Sequence, residues 1–263
     1  MLKYDPQNNI IVKNTSLNMV SKKDIKLISS LKHKKFRDLN SAFVVEGRKS
    51  ISEFLISQFK LVKLFSIDCS AFDFVTNQIE VDYNELKKIS FFNNPDDHLA
   101  IFEIPNKNPV DHNNLIIALE SIRDPGNLGT IIRTCEWFGI KDVICSNDSV
   151  DCFNPKVIQS AMGSLSRMNV NYVDLNSYLK NTKLDLIGAT LNGKSVYKTD
   201  LPFDKGILIF GNEANGVSDK LCDVLDYNLT IPRSGINDFP DSLNLSISVG
   251  IFLGEIKRKI FSD

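Results

Sequence analysis

Three polar loops in the second half of this 263-residue chain hold the residue types that chemistry needs. The first follows an apolar run at Leu115–Leu119 and reads Glu120-Ser-Ile-Arg-Asp-Pro-Gly-Asn-Leu-Gly-Thr-Ile-Ile-Arg-Thr134. Asp124-Pro125-Gly126 is a turn signal, and a helix is expected from near Asn127. Leu128, Ile131, Ile132, Cys135 and Phe138 are spaced as one apolar face, which leaves Arg133 on roughly the opposite side, available to a ligand. The second loop, Ile207-Leu-Ile-Phe-Gly-Asn-Glu-Ala-Asn-Gly216, runs an apolar strand straight into Gly211 and Gly216. Glycine permits close approach to the main chain, and Glu213 would face a crevice at the carboxyl end of that strand. The third closes a strand at Ile231-Pro232 and, after a long loop, reads Ser242-Leu-Asn-Leu-Ser246. Residues 242–251 alternate polar and apolar with period two, a strand pattern. Each loop alone also reads as an ordinary turn, and Arg133 as an ordinary exposed arginine.

Common nucleotide and hydrolase sites do not fit. Gly211 and Gly216 have P-loop spacing, but in Val217-Ser218 a valine stands where the lysine would grip phosphate. No G-x-G-x-x-G follows a strand, so a Rossmann dinucleotide site has no support. The three histidines, His33, His98 and His112, lie outside the glycine-rich loops and read as surface residues. Past His112, any catalysis must therefore use Arg, Lys, carboxylates, hydroxyls, amides or backbone.

The elements that would position these groups alternate. Before residue 105, helices are expected at 21–40, 48–59 and 84–90, with strands at Ala42–Glu46, 61–67 and 99–104. Short apolar runs at Leu115–Leu119, 142–145, 186–189 and 207–210 suit buried parallel strands, mostly with helices between them. This βαβα alternation predicts two α/β domains. Residues 105–114, with two prolines and several asparagines, read as a linker between a small domain at 1–104 and a larger one at 115–263.

Composition sets the outer limits. With 43% hydrophobic and 24% charged residues, the chain is neither disordered nor low-complexity. Five cysteines without a CxxC pair argue against a disulfide scaffold or a structural zinc site and fit a reducing cytosol. No stretch is long and apolar enough to span a bilayer, and MLKYDPQNNI has no signal-peptide core, so a soluble cytoplasmic protein is expected. The formal net charge of −1 hides an asymmetry, because residues 1–60 hold 12 Lys/Arg against 5 Asp/Glu. Lys22, Lys23, Lys26, Lys32, Lys34, Lys35 and Arg37 lie there, and such a basic end suggests an anionic partner. The alternative is a solvated lysine-rich helix face.

Taken in order, Asn127-x-Gly129-x-x-x-Arg133-Thr134, Gly211-x-Glu213-x-x-Gly216, Ile231-Pro232 and Ser242-Leu243-Asn244-x-Ser246 resemble the SpoU (TrmH-type) RNA ribose methyltransferases of the SPOUT superfamily. Phe43-Val44-Val45-Glu46-Gly47 is similar to the small substrate-binding domain of that family. The resemblance implies a parallel-sheet α/β domain with a deep trefoil knot near the C-terminus, whose loops hold S-adenosylmethionine. It implies that residues 242–251 are helical, and that the protein is a homodimer needing no metal. It assigns catalysis to Arg133, with Asn127 and Asn244 orienting the arginine or ribose, Glu213 accepting from a donor, and Ser242 hydrogen-bonding near the transferred group. Gly211, Asn212, Ile231, Pro232 and Leu243 would hold the cofactor, and Lys32, Lys34, Lys35 and Arg37 would meet RNA phosphates. One departure is that the loop from Arg233 to Asp241 is longer than usual for the family, with Arg233 where a methionine is common. The activity implied is methyl transfer to a ribose 2′-hydroxyl, with ribosomal RNA favoured. Transfer RNA as substrate, or a non-catalytic RNA-binding or ribosome-assembly protein, are the alternatives.

Overall fold

The computed structural model describes residues 3–4, 11–12, 19–199, 204–233 and 242–261. Most of the 233–241 loop and the extreme N-terminal segments therefore lie outside the described residues. Strands β1 (Lys3–Tyr4) and β2 (Ile11–Val12) form an antiparallel pair. The first helical stretch is two helices, α1 (Lys22–Leu31) and α2 (Lys34–Asn40), rather than the single helix expected over 21–40. The break has a cause. The Leu31 and Lys32 carbonyls accept from Arg37 Nη1 at 2.9 and 3.0 Å, and the backbone turns at His33.

A four-stranded sheet follows, built from β3 (Ala42–Glu46), β4 (Leu61–Ser66), β5 (Gln78–Glu80) and β6 (His98–Glu103), in the order β3-β6-β4-β5. Helices α3 (Arg48–Leu55) and α4 (Tyr83–Ile89) connect its strands. His98, expected at the surface, is instead 4% exposed at the start of β6, where Nδ1 meets Ser66 Oγ at 3.0 Å and the ring stands edge-on to Phe72. Burial pushes its pKa down against the raising influence of Asp96 and Asp97.

The described residues from Leu115 onward form a six-stranded sheet with helices packed around it. The elements are β7 (Leu115–Leu119), α5 (Pro125–Trp137), β8 (Asp142–Ser146), α6 (Pro155–Ala161), β9 (Asn169–Val173), α7 (Leu175–Asn181), β10 (Leu186–Ser195), β11 (Gly206–Phe210), α8 (Asp219–Cys222), β12 (Tyr227–Thr230) and α9 (Leu245–Phe261). The strand order is β12-β10-β11-β7-β8-β9, and every pairing is parallel. Strands β7, β8 and β11 are buried along their whole length, as their continuous apolar runs require. The strand pattern over 242–251 gives way to helix α9. Leu245, Val249, Phe252, Leu253 and Ile256 are buried, a spacing that puts them on one helical face.

The two sheets share a hydrophobic core. Phe153, from the segment before α6, packs on Phe43 with ring centroids 4.6 Å apart, and also on Phe59. One apolar cluster runs from Phe43, Phe54 and Phe102 through to Ile117, Leu128 and Val143.

Candidate active site

All strands of the large sheet point the same way, so the loops after β7, β8 and β11 leave one edge. Beyond β7 the chain builds outward through β8 and β9, whereas β11 lies on the other side of β7. Such a reversal opens a crevice at the carboxyl ends of the two central strands. Glu120 N donates to Phe210 O at 2.9 Å, and Glu120 Oε2 accepts from Ser218 N at 2.9 Å, which seams the two loops together.

The β7 loop is braced by the β8 loop. Ser121, a non-glycine residue at φ 56°, donates from N to Ser146 Oγ and from Oγ to Asp148 Oδ2, both at 2.7 Å. Its carbonyl accepts from Asn212 Nδ2 at 2.7 Å. A residue in the left-handed region persists where its surroundings over-determine it, and three bonds do so here. Hydrogen bonds from Ser146 and Ser121, with the Arg123 guanidinium alongside, hold the Asp148 carboxyl below its ordinary value. Ser121, Ser146 and Asp148 are site-shaping residues that sequence reasoning missed, because their role depends on two loops about 25 residues apart.

Helix α5 then starts as its sequence dictates. Asp124 is the N-cap, accepting from Asn127 N at 2.7 Å, and Pro125 occupies the first turn. The helix therefore begins two residues earlier than expected. Gly129 is needed for packing, since a Cβ there would sit 2.5 Å from Val157 O and 2.6 Å from Ser160 Cβ on α6.

Asn127, Glu213 and Asn244 come together from three separate segments. Asn244 Oδ1 accepts from Ser246 N at 2.9 Å and from Ser246 Oγ at 2.7 Å, capping α9. Its amide must therefore donate outward, and Nδ2 reaches Asn127 Oδ1 at 3.0 Å. Asn127 Nδ2 in turn donates to Glu213 Oε1 at 3.1 Å. The direction of this relay is fixed at both ends, by helix N–H groups at one and by a carboxylate at the other. Asn212 bridges N–H to C=O with Gly216 in both directions, which closes the Glu213 turn. A Cβ at Gly211 would collide with the Gly216 and Val217 backbone, so the main chain itself fills that position.

Arg133 is exposed on α5, on the same helix as Asn127, and pairs with no described residue. Ser242 and Leu243 are exposed in the irregular backbone before α9. Ile231 packs on the apolar cluster that also takes Phe210 and Leu245, and Pro232 beside it is exposed. Lys32, at the end of α1, and Lys34 and Lys35, in the first turn of α2, are exposed, with Lys34 paired to Asp38 at 2.8 Å. Arg37 does not join them. It is 2% exposed and its guanidinium is spent on Asp151 and two carbonyls, so the expected phosphate contact is corrected.

Fold and site together define a parallel-sheet α/β protein whose polar groups converge at the carboxyl edge of the sheet, joined to a smaller α/β unit. Residues 114–254 match the SpoU rRNA Methylase family, and residues 22–100 match the MRM3-like substrate binding domain. The chain belongs to the SpoU rRNA methylase family. It is 31% identical over 145 residues to the Bacillus subtilis 23S rRNA (guanosine(2553)-2′-O)-methyltransferase RlmP, covering 54% of this chain and 57% of that protein. A putative RNA methyltransferase of the TrmH family from Porphyromonas gingivalis superposes with TM-score 0.82 at 32% identity, over 92% of this chain and 100% of that one. The AdoMet-bound rRNA methyltransferase of Sinorhizobium meliloti superposes with TM-score 0.80 at 27% identity, over 93% and 98% of the two chains. The chain thus spans less than two thirds of the RlmP relative's length, and nearly all of both solved structures.

Proposed function

We propose that this protein transfers a methyl group from S-adenosylmethionine to a ribose 2′-hydroxyl of structured RNA, ribosomal RNA above all. The observation that carries the reading is the Asn244–Asn127–Glu213 relay, which ties three distant motifs into one oriented site on the helix that also carries the exposed Arg133. The division into a substrate-binding unit at 1–104, a linker at 105–114 and a methyltransferase unit at 115–263 belongs to the same proposal, as does a cytoplasmic location. Among the described residues no helix is long and apolar enough to cross a membrane.

The residues present fit the cofactor. Adenosine and methionine moieties need backbone donors, backbone acceptors and apolar contacts. Irregular backbone near Gly211, Asn212, Pro232 and Leu243 offers the first two, and the Ile231 and Leu243 side chains offer the third. When bound, the cofactor supplies an electrophilic methyl on a sulfonium. The C-terminal trefoil knot expected for the family would bring these loops together.

The chain's own part is alignment and charge. Placing the ribose oxygen in line is worth up to about 7–11 kcal/mol in well-oriented systems. A guanidinium carries donors and no acceptor, so Arg133 serves as a donor rather than a base. It grips an RNA phosphate and the 2′-oxygen, stabilising the charge that develops there as the hydroxyl proton leaves to phosphate or water. Asn127 and Asn244 hold the ribose side of the pocket, Glu213 fixes the Asn127 amide, and Ser242 donates near the transferring group. The cofactor, held at Gly211, Asn212, Ile231, Pro232 and Leu243, would supply the methyl group and leave as a neutral thioether.

RNA is held by the exposed Lys32, Lys34 and Lys35. Pairing of two copies is supported by apolar surface: Trp137 on α5 is 85% exposed and Ile247 on α9 is 55% exposed. The test is methyl transfer from labelled cofactor to ribosomal RNA by the purified protein. Arg133→Ala should lower turnover about 100-fold or more while cofactor affinity holds. A variant with near-normal turnover removes the arginine from the mechanism.

A further inference from the structure

Arg37 is a buried guanidinium with every interaction turned inward. Nε and Nη2 both reach Asp151 Oδ2, at 2.9 and 2.5 Å, and Nη1 takes the Leu31 and Lys32 carbonyls. Side-chain exposure is 2% for Arg37 and 11% for Asp151. Burying such a pair gains little stability over apolar packing of the same volume, so its worth lies in geometry. The geometry is specific. The carbonyls it holds are those at the end of α1, and the chain that turns there into the first turn of α2 exposes Lys32, Lys34 and Lys35.

Asp151 sits on the segment between β8 and α6. It accepts from Phe153 N at 3.2 Å, and the Phe153 ring seats in the core of the small sheet. Two and three residues earlier, Ser149 and Asp148 brace the β7 loop through Ile122 N at 3.0 Å and Arg123 Nη2 at 2.9 Å. That loop starts the helix that carries Asn127 and Arg133. One short segment therefore touches the basic turn at one end and the candidate active site's framework at the other.

We infer that Arg37 is a positioning residue for RNA. Through Asp151 it locks the Lys32–Lys34–Lys35 turn in register with the carboxyl edge of the large sheet, so that phosphates bound by the lysines place a ribose at Arg133. The inference rests on the RNA-methyltransferase reading, and neither Arg37 nor Asp151 touches substrate.

A double-mutant cycle on the full chain tests it. The RNA is a transcribed structured ribosomal RNA fragment, and affinity is measured between about 50 and about 200 mM salt. In the wild-type background, replacing Lys32, Lys34 and Lys35 together with Ala should weaken binding about tenfold or more and flatten the salt dependence. In the Asp151→Asn background the same triple change should cost less than about twofold, because the lysines are no longer aimed. Asp151→Asn alone should raise KM for RNA and leave kcat at saturating RNA within about twofold. Circular dichroism and S-adenosylmethionine titration show that the variant is folded. If Asp151→Asn does not fold, Arg37→Lys goes through the same cycle, since it keeps a charge for Asp151 but cannot also hold both carbonyls. Equal lysine penalties in both backgrounds overturn the positioning role alone. Wild-type protein that binds this RNA without any dependence on the lysines overturns the RNA reading of the turn and the inference with it.

Discussion

Asn244 does two jobs with one amide. Its oxygen caps α9 and its nitrogen orients Asn127 toward Glu213. Substitution can separate the two. Asp caps a helix about as well as Asn, but its ionised side chain cannot donate. Asn244→Asp should therefore melt within about 1 °C of wild type yet lose about tenfold or more in methyl transfer. Asn244→Ala should lose both activity and about 1 kcal/mol of stability, read as a lower denaturation midpoint. Equal activity in wild type and Asn244→Asp would show that the relay has no part in turnover. Single residues also show where sequence reading stops. Asn127, Glu213 and Asn244 could be singled out because three loops in order resemble a family. Arg37 and Arg133 look alike in sequence, a charged residue on a helix. What separates them is Asp151, which lies 114 residues away from Arg37.

At the scale of elements, the strands β7, β8 and β11 were legible because burial on both faces demands unbroken apolar runs. Strand β9 went unseen because it lies at the sheet edge, half-buried, with Asn169 turned to the Pro109 carbonyl and Asn171 to the Asn108 carbonyl. Helix α9 was masked by its first turns. Residues 242–251 alternate, and the helical spacing shows only when Phe252, Leu253 and Ile256 are included. Gly129 had meaning in the motif but no visible physical reason until α6 was placed across it. There is no room for a methyl between these helices, so Gly129→Ala must push them apart or shift the Val157 backbone. Overpacking of this kind costs about 1–3 kcal/mol, equivalent to roughly 2–4 °C in melting temperature per kcal/mol for a chain of this size. The displaced helix is the one that carries Asn127 and Arg133. Turnover should therefore fall further than stability alone explains, measured well below the melting point. A Gly129→Ala protein with wild-type turnover at that temperature would mean α5 tolerates the shift.

For the whole molecule, the sharpest question is whether one copy suffices. Trp137 is the only tryptophan of the chain and stands 85% exposed on α5. It lies four residues from Arg133 and so on the same helical face. Thr134 and Phe138, one residue over, face Gly250 and Gly254 of α9, which carries the exposed Ile247. Apolar surface of this sort, continuous with a charged residue of the site, is what a self-complementary interface requires. If two copies meet here, each Arg133 lies close to its partner, and solvent is excluded from the pocket by the second chain. The single indole then reports assembly directly. At high concentration its emission should be blue-shifted as the ring leaves water, and dilution should shift it to the red along a binding curve. Light scattering over the same range should move from twice the chain mass toward one. Trp137→Glu should scatter as a monomer at all concentrations and lose most methyl transfer, although Arg133 and the Asn127 relay are untouched. A Trp137→Glu monomer with full activity per chain would leave the dimer without a catalytic purpose. Red-shifted emission from wild-type protein that scatters at twice the chain mass would place the interface on another face.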